Sequence, residues 1–373
     1  MSKCQYYEFQ AVDRPLTQRA MSALRALSTR AEITPNRFVN VYHYGDFRGD
    51  PRSLMEKYFD AFVYVANWGT HQCMLRLPRP QLDPHVASRY CPDDEVAALH
   101  TTADHVILDL TSYEEEMMTW EESSERWLPS LLPLRDELAS GGLRWLYVGW
   151  LLCAQLGAID DDDREPPVPP GLGKPSAALV EFLCIDEDLL AVAAERSAPL
   201  RSHEPSVASM RHWIATLPGE DKDDVLLRLM EGSDRNVRAE LIRRFRQTQG
   251  PSSSPLADEG IGRSVEELIA AAEARTEARQ RAQVERKVTE RAAFLDDLVG
   301  REEQVWGQVE RHIDEKSRSG YDQAVNLLAD LRDASEWRHS APAFEERLRR
   351  LRARHATKSS LRRLLDEAGL PGG

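Results

Sequence analysis

Val288, Ala292, Leu295, Val299, Glu302, Trp306, Val309 and Ile313 step along the sequence by four and three without error, and Glu302 is the single polar member. That spacing is a coiled-coil seam, and a stretch carrying it folds as a helix with one face to cover. Upstream, EELIAAAEARTEARQRAQVERK is a strong helix former with a thin apolar face, so one long helix is expected from about Ser264 to Lys316. SRSGYD then reverses the chain; Tyr321, Val325, Leu328 and Leu331 resume the stripe. Phe344, Leu348 and Leu351, then Leu361, Leu364 and Leu365, mark two more helices. Two coverings of the seam stand open. It pairs with a second copy or another protein, with Val288, Leu295, Val299, Trp306, Val309 and Ile313 as contacts, or the helices after Tyr321 fill it, since short reversals favour hairpins within one chain.

The front of the chain reads differently. QYYEFQAV is rich in β formers and is expected as a strand whose aromatics fill a core, because large apolar side chains are usually buried. A helix follows with Leu16, Met21, Leu24 and Leu27 at helical spacing, then a strand in RFVNVYHYGDF and a short helix opened by Pro51. AFVYVANWG and HQCMLRLP form one expected hairpin about Gly69 and Thr70, and EVAALHTTADHVILDLTSYEE another. About six strands and two or three helices result. From Glu121 the pattern turns helical: SERWLPSLLPLRDELAS and LRWLYVGWLLCAQLG are joined by Gly141 and Gly142, and further helices are expected over Ala177–Ser197, Val207–Thr216 and Asp221–Gln249. IDDDDREPPVPPGLGKP is expected as an exposed connector, and GPSSSPLADEGIG as the main boundary. The fold class is therefore α+β, divided as an α+β domain 1–118, a helical domain 119–250, a linker 251–262 and a helical arm 263–373.

Charge is unevenly placed. Residues 263–373 balance 21 basic against 21 acidic side chains, so the first 262 carry 27 against 41 and hold the whole net charge of -14. An acidic front repels polyphosphate, because nucleic-acid affinity comes from lysine and arginine displacing counterions. Two arginine groups stand apart: Arg235, Arg238, Arg243, Arg244 and Arg246, then Arg347, Arg349, Arg350, Arg352 and Arg354 with Lys358, Arg362 and Arg363. Arg243, Arg244, Arg246, Arg349, Arg350, Arg352 and Arg354 are the candidates for phosphate contact; the simpler reading is a solvated helix face. Five cysteines, Cys4, Cys73, Cys91, Cys153 and Cys184, show no close pairs, which fits a reduced, cytoplasmic protein. The longest apolar run, Trp145 to Ala154, is ten residues, short of the ~20 a membrane helix needs.

Motifs of known chemistry are missing or broken. GLGKP has Gly173 and Lys174 in phosphate-loop order, but Val168 stands where glycine is required and Pro175 where Ser or Thr is. Neither a dinucleotide glycine pattern nor a serine nucleophile elbow occurs. His71, Cys73, His100 and His105 are the candidates for a metal, since His71 and Cys73 would share a strand face, yet there is no Cys-x2-Cys pair. Asp160 to Asp163, YEEEMM and EDKDD lack the spacing of a calcium loop and read as solvated acids. No cofactor is expected, and no pair of carboxylates is singled out for catalysis.

YYEFQAVDRP, GDFRGDP, LMEKYFDAFVYVANWGT and EPPVPPGL resemble signature stretches of a group of uncharacterised bacterial proteins, over most of the first 200 residues. That resemblance carries no assigned activity. The tail stretches YDQAVNLLADLRDASEW and AFEERLRRLRARHATKSSLRRLLDEAGL are similar to the helical C-terminus that follows the zinc module in bacterial SWIM zinc-finger proteins. The module's Cys-x-Cys and Cys-x-His ligands are absent here, so the resemblance implies a shared helical accessory element that docks on a partner. Three functions are carried forward: a protein-interaction adaptor or scaffold; a nucleic-acid-associated accessory protein, in phage or mobile-element defence; and an enzyme with an unrecognised site near His71, Cys73, His100 and His105.

Overall fold

Gln5–Gln10 is strand β1, and it lies inside a sheet rather than at its rim. The computed structural model describes residues 4–113, 124–173, 177–199, 207–231, 241, 244–245 and 262–370. Seven described strands form one antiparallel sheet: β1, β2 (Glu32–Thr34), β3 (Arg37–Tyr42), β4 (Ala61–Ala66), β5 (Thr70–Pro78), β6 (Ala97–Thr101) and β7 (His105–Tyr113), in the order β2-β3-β1-β4-β5-β7-β6. Both expected hairpins, β4–β5 and β6–β7, are present. β2 is not expected from the sequence because three residues are too few to show a period. The described chain is thus α+β, a sheet followed by many helices.

Alternation along the strands splits the side chains between two cores. One face carries Tyr7, Phe9, Phe38, Phe62, Met74 and Ile107, covered by α1 (Gln18–Leu27) through Leu24 and α2 (Pro51–Lys57) through Leu54 and Met55. Phe9 meets Phe62 at 4.3 Å and Phe59 at 5.1 Å between ring centres, so the opening aromatics are indeed packing residues. A one-turn helix, α3 (Pro84–Ala87), lies in the β5–β6 connection. The other face carries Val63, Cys73, Leu75, Leu108 and Leu110 and shares its core with α4 (Trp127–Ala139), α5 (Arg144–Gln155), α6 (Ala177–Phe182) and α7 (Glu187–Ala194). α8 (Val207–Thr216) and α9 (Gly219–Glu231) follow, with Trp213 edge-on to Phe245 at 5.5 Å. Beyond Glu231, most of the helix expected to Gln249 lies outside the described residues, as do YEEEMM past Tyr113, the Lys174–Pro175 pair and residues 251–261.

The division expected at 118/119 does not separate one core from another, since strands and α4–α7 bury their apolar faces in one cluster. Two compact units divide instead at Thr276/Glu277, inside α10 (Val265–Gly300). The reason is the treatment of the connector. Its acids are exposed, but Glu165, Pro166, Pro169 and Leu172 are buried. Glu165 accepts from Arg263 Nε at 2.9 Å and Nη2 at 2.8 Å and from the Tyr147 hydroxyl. Backbone bonds from Glu165 N to Arg263 O, Val265 N to Asp163 O and Glu266 N to Asp161 O zip the connector to the entry of α10. A Cβ on Gly262 would lie 2.3 Å from the Glu165 carbonyl, so the close approach requires glycine. Ser264 and Glu267 complete a capping box, and Val265, Leu268 and Ala272 enter the first unit's core.

The second unit comprises the rest of α10, α11 (Glu302–Asp314), α12 (Arg318–Trp337), α13 (Ala341–Arg354) and α14 (Ser359–Glu367). The long helix expected to Lys316 is broken at Arg301, which leaves helical geometry after Gly300, a residue of poor helix propensity. The reversal at SRSGYD, with Ser317 capping α12, is as expected.

One charged group is buried at the heart of the first unit. Asp60 Oδ1 accepts from Arg76 Nε at 3.1 Å and Nη2 at 2.6 Å, and its Oδ2 accepts from the amides of Val12 at 2.7 Å and Asp13 at 2.9 Å. Arg135 of α4, also buried, donates to Arg76 O at 2.8 Å and to Asp13 Oδ2 at 2.6 Å. Burial pushes the Asp60 carboxyl up, but Arg76 and Arg135 outweigh it and hold the acid below its ordinary value. Its contribution to stability is therefore present above the unfolded carboxyl's pKa of about 3.9 and is lost as the pH falls through the folded value. Asp60→Ala or Arg76→Ala should each cost about 3–5 kcal/mol in urea unfolding, because each strands a buried charge. The double variant should cost clearly less than the two added together.

Candidate functional site

GDFRGDP, one of the stretches singled out above, builds the loop after β3. Gly45 takes φ +80°, open to glycine without strain. Asp46 Oδ1 accepts from Gln5 Nε2 at 3.1 Å. Phe47 turns inward onto Tyr7 at 5.1 Å between centres, and a Cβ on Gly49 would strike the Phe47 ring at 2.7 Å. Asp50 caps α2, accepting from Ser53 N at 2.9 Å, with Pro51 in the first turn. Gln5 Oε1 accepts from both the Tyr7 and Tyr64 hydroxyls, at 2.8 and 3.1 Å, and burial pushes Tyr7 up to about 12. The loop is thus anchored from beneath by a satisfied polar network.

Above that network lies an aromatic end of the sheet. Gln5 pairs with Tyr42 and Ala66, and Thr70 with Tyr113, so the β3 exit, the β4–β5 turn and the β7 exit share one end. There Tyr44, Trp68 and Tyr113 are 85%, 45% and 56% exposed. Sequence reasoning misses these three. The available signal was the position of each at or beyond the end of an apolar strand, which only the sheet order assigns to one common end.

Asp109 is the second feature the sequence concealed. It sits mid-strand in β7 on the α2 side, and Gln72 Nε2 donates to its two oxygens at 2.8 and 3.0 Å. His100 Nε2 lies 4.0 Å from Asp109 Oδ2, and His100 Nδ1 lies 3.3 Å from Arg52 Nη1. Arginine only donates, so that contact requires an unprotonated Nδ1 and leaves the Nε2 proton towards Asp109. Burial, with Arg52 adding to it, lowers the His100 pKa, while burial raises Asp109 to about 6 against the pull of Gln72.

The metal candidates are separated by the sheet. His71 and Cys73 face the α4–α7 side, where the His71 ring meets Phe182 at 5.4 Å and burial pushes the Cys73 thiol well up. Register places His100 opposite Ile107 and His105 opposite Pro78, on the α2 side. The four do not converge, and among the described residues no group of three or more His, Cys, Asp or Glu is placed to hold an ion.

Most of the seam is covered inside the second unit. Leu295, Trp306, Val309 and Ile313 are buried with Leu328, Leu331, Phe344 and Leu348, Val299 packs against them, and Val288 remains 63% exposed. Of the arginines, Arg243 and Arg246 lie outside the described residues. Arg244 pairs with Asp221 at 2.5 Å, Arg350 with Glu346 at 2.9 Å, Arg352 with Asp366 at 2.5 Å and Arg354 with Glu310 at 2.6 Å; Arg349 also holds Glu346. These cations face the protein's own carboxylates.

No described helix is long and apolar enough to cross a membrane. No protein family, curated protein or solved structure matches the chain.

Asp109 carries a pH signature. The folded carboxyl keeps its proton up to about 6, whereas the unfolded one releases it near 3.9, so the folded state binds more protons between those values and stability falls as pH rises through them. Asp109→Asn keeps an acceptor for Gln72 and should raise stability at pH 8 by on the order of 1–3 kcal/mol while changing little at pH 4. Urea unfolding at the two pH values checks both.

Proposed function

We propose that this chain is a protein-interaction protein, an adaptor that recognises its partner through the aromatic end of the first unit's sheet. One observation carries the reading: Tyr44, Trp68 and Tyr113, from three separate segments, stand exposed at a single end of the sheet. Tyrosine and tryptophan are the side chains most enriched where proteins bind one another, since they offer large contact area at small entropic cost. Beneath them the Gln5–Tyr7–Tyr64–Asp46 network fixes the loop before binding, which lowers the ordering cost. The acidic balance of the first 262 residues, 27 basic against 41 acidic, favours a partner with a basic surface. The setting is the bacterial cytoplasm, on the strength of the resemblance of YYEFQAVDRP and GDFRGDP and of cysteines without close pairs.

The arginine-based nucleic-acid reading draws little from the geometry, because Arg244, Arg349, Arg350, Arg352 and Arg354 already lie on carboxylates. The adaptor reading is tested by affinity capture with the full chain and its Tyr44→Ala/Trp68→Ala variant. A partner that binds the parent should be lost by about tenfold or more from the variant, with melting unchanged. Equal capture by both proteins would contradict the reading.

A further inference from the structure

From Glu277 to Arg291 every residue of α10 is exposed, fifteen positions in succession on a helix whose two ends are packed. Within this bare stretch Val284 and Val288 are 60% and 63% exposed, although β-branched residues are not what a solvated helix surface favours. The four-and-three stepping of the seam does not stop at Val288. It continues in phase through Glu285, Arg281, Ala278 and Ala274. These positions share a stripe with Val288 and Ala292, and along it Ala274, Ala278, Arg281, Glu285 and Val288 are exposed.

The order of charges along that stripe selects its occupant. A parallel, in-register pair of α10 helices would set Arg281 against Arg281 and Glu285 against Glu285. An antiparallel pair with its two-fold axis at residue 283 sets Arg281 opposite Glu285 of the partner subunit, twice by symmetry. The same register sets Ala278 opposite Val288 of the partner subunit and Ala274 opposite Ala292 of the partner subunit, small residues against larger or equal ones. Every position is self-complementary, as an isologous interface requires. Within one chain Arg281 reaches Glu277 at 2.8 Å, an exposed pair one turn away that exchanges readily for a partner across the seam.

We propose that the stretch of α10 from Ala274 to Ala292 pairs antiparallel with the same stretch of a second copy of this chain. The interface is independent of the aromatic end, and it differs from the downstream seam, which the second unit fills itself.

Sedimentation of the full chain over a concentration series tests this with Arg281→Glu, Glu285→Arg and the double variant R281E/E285R. The parent should dimerise reversibly. Each single variant places like charges opposite one another at both symmetric layers and should weaken the dimer about tenfold or more. The double variant should recover it, as should mixing the two single variants. Arg281 and Glu285 are both exposed, so circular dichroism should not change. A parent that stays monomeric throughout, single variants as dimeric as the parent, or a double variant as weak as the singles would each overturn the proposal.

Discussion

Asp60 joins β1, β5 and, through Asp13 and Arg76, α4 at one buried carboxylate. Its carboxylate is the common acceptor for the amides that follow β1 and for the guanidinium of β5, and Arg135 completes the group from α4, 122 positions away from its partner Asp13. Charges this deeply buried contribute little net energy compared with apolar residues of the same shape. They also tie three elements to one register, since Arg76 of β5 and the amides after β1 meet the same carboxylate and Arg135 of α4 reaches Arg76 O and Asp13.

A second buried acid does comparable work where the connector meets α10. Glu165, reached by Arg263 and Tyr147, draws the proline-rich connector inward and fixes the entry of α10 against it. The chain therefore leaves the first unit inside a helix at Thr276, fourteen residues after the boundary that composition alone indicates at Gly262. Composition registers prolines and acids as solvent-seeking. It does not register an arginine 98 positions later that neutralises one of them.

Much of the fold was nonetheless legible. β-forming residues located β1, apolar runs about turn residues located both hairpins, and helical patterning located α1, α4, α5 and the helices after the SRSGYD reversal, because in each the local residues agree with the turn chemistry around them. What stayed hidden depended on partners distant in sequence. His71 and His100 looked like neighbours, yet strand pairing sends them to opposite faces. Asp109 is one polar residue among the apolar ones of VILDL, and only the sheet order places it against Gln72 and near His100. The seam is a seam in the fold as in the sequence, but spacing does not tell which helices cover it, and here α12 and its successors cover all but its upstream end.

Function follows from the same division between what is satisfied and what is left over. Buried charges, inner aromatics and the downstream seam are buried within the units, while the aromatic end of the sheet and α10 from Glu277 to Arg291 stand exposed. Asp60 is the fixed point on which the first unit depends, and amide hydrogen exchange at Val12 and Asp13 measures this directly. Both amides donate to the Asp60 carboxylate, so they should exchange only through global unfolding, as slowly as the amides of β4 and β5. Exchange at those two positions as fast as in an exposed loop would contradict it.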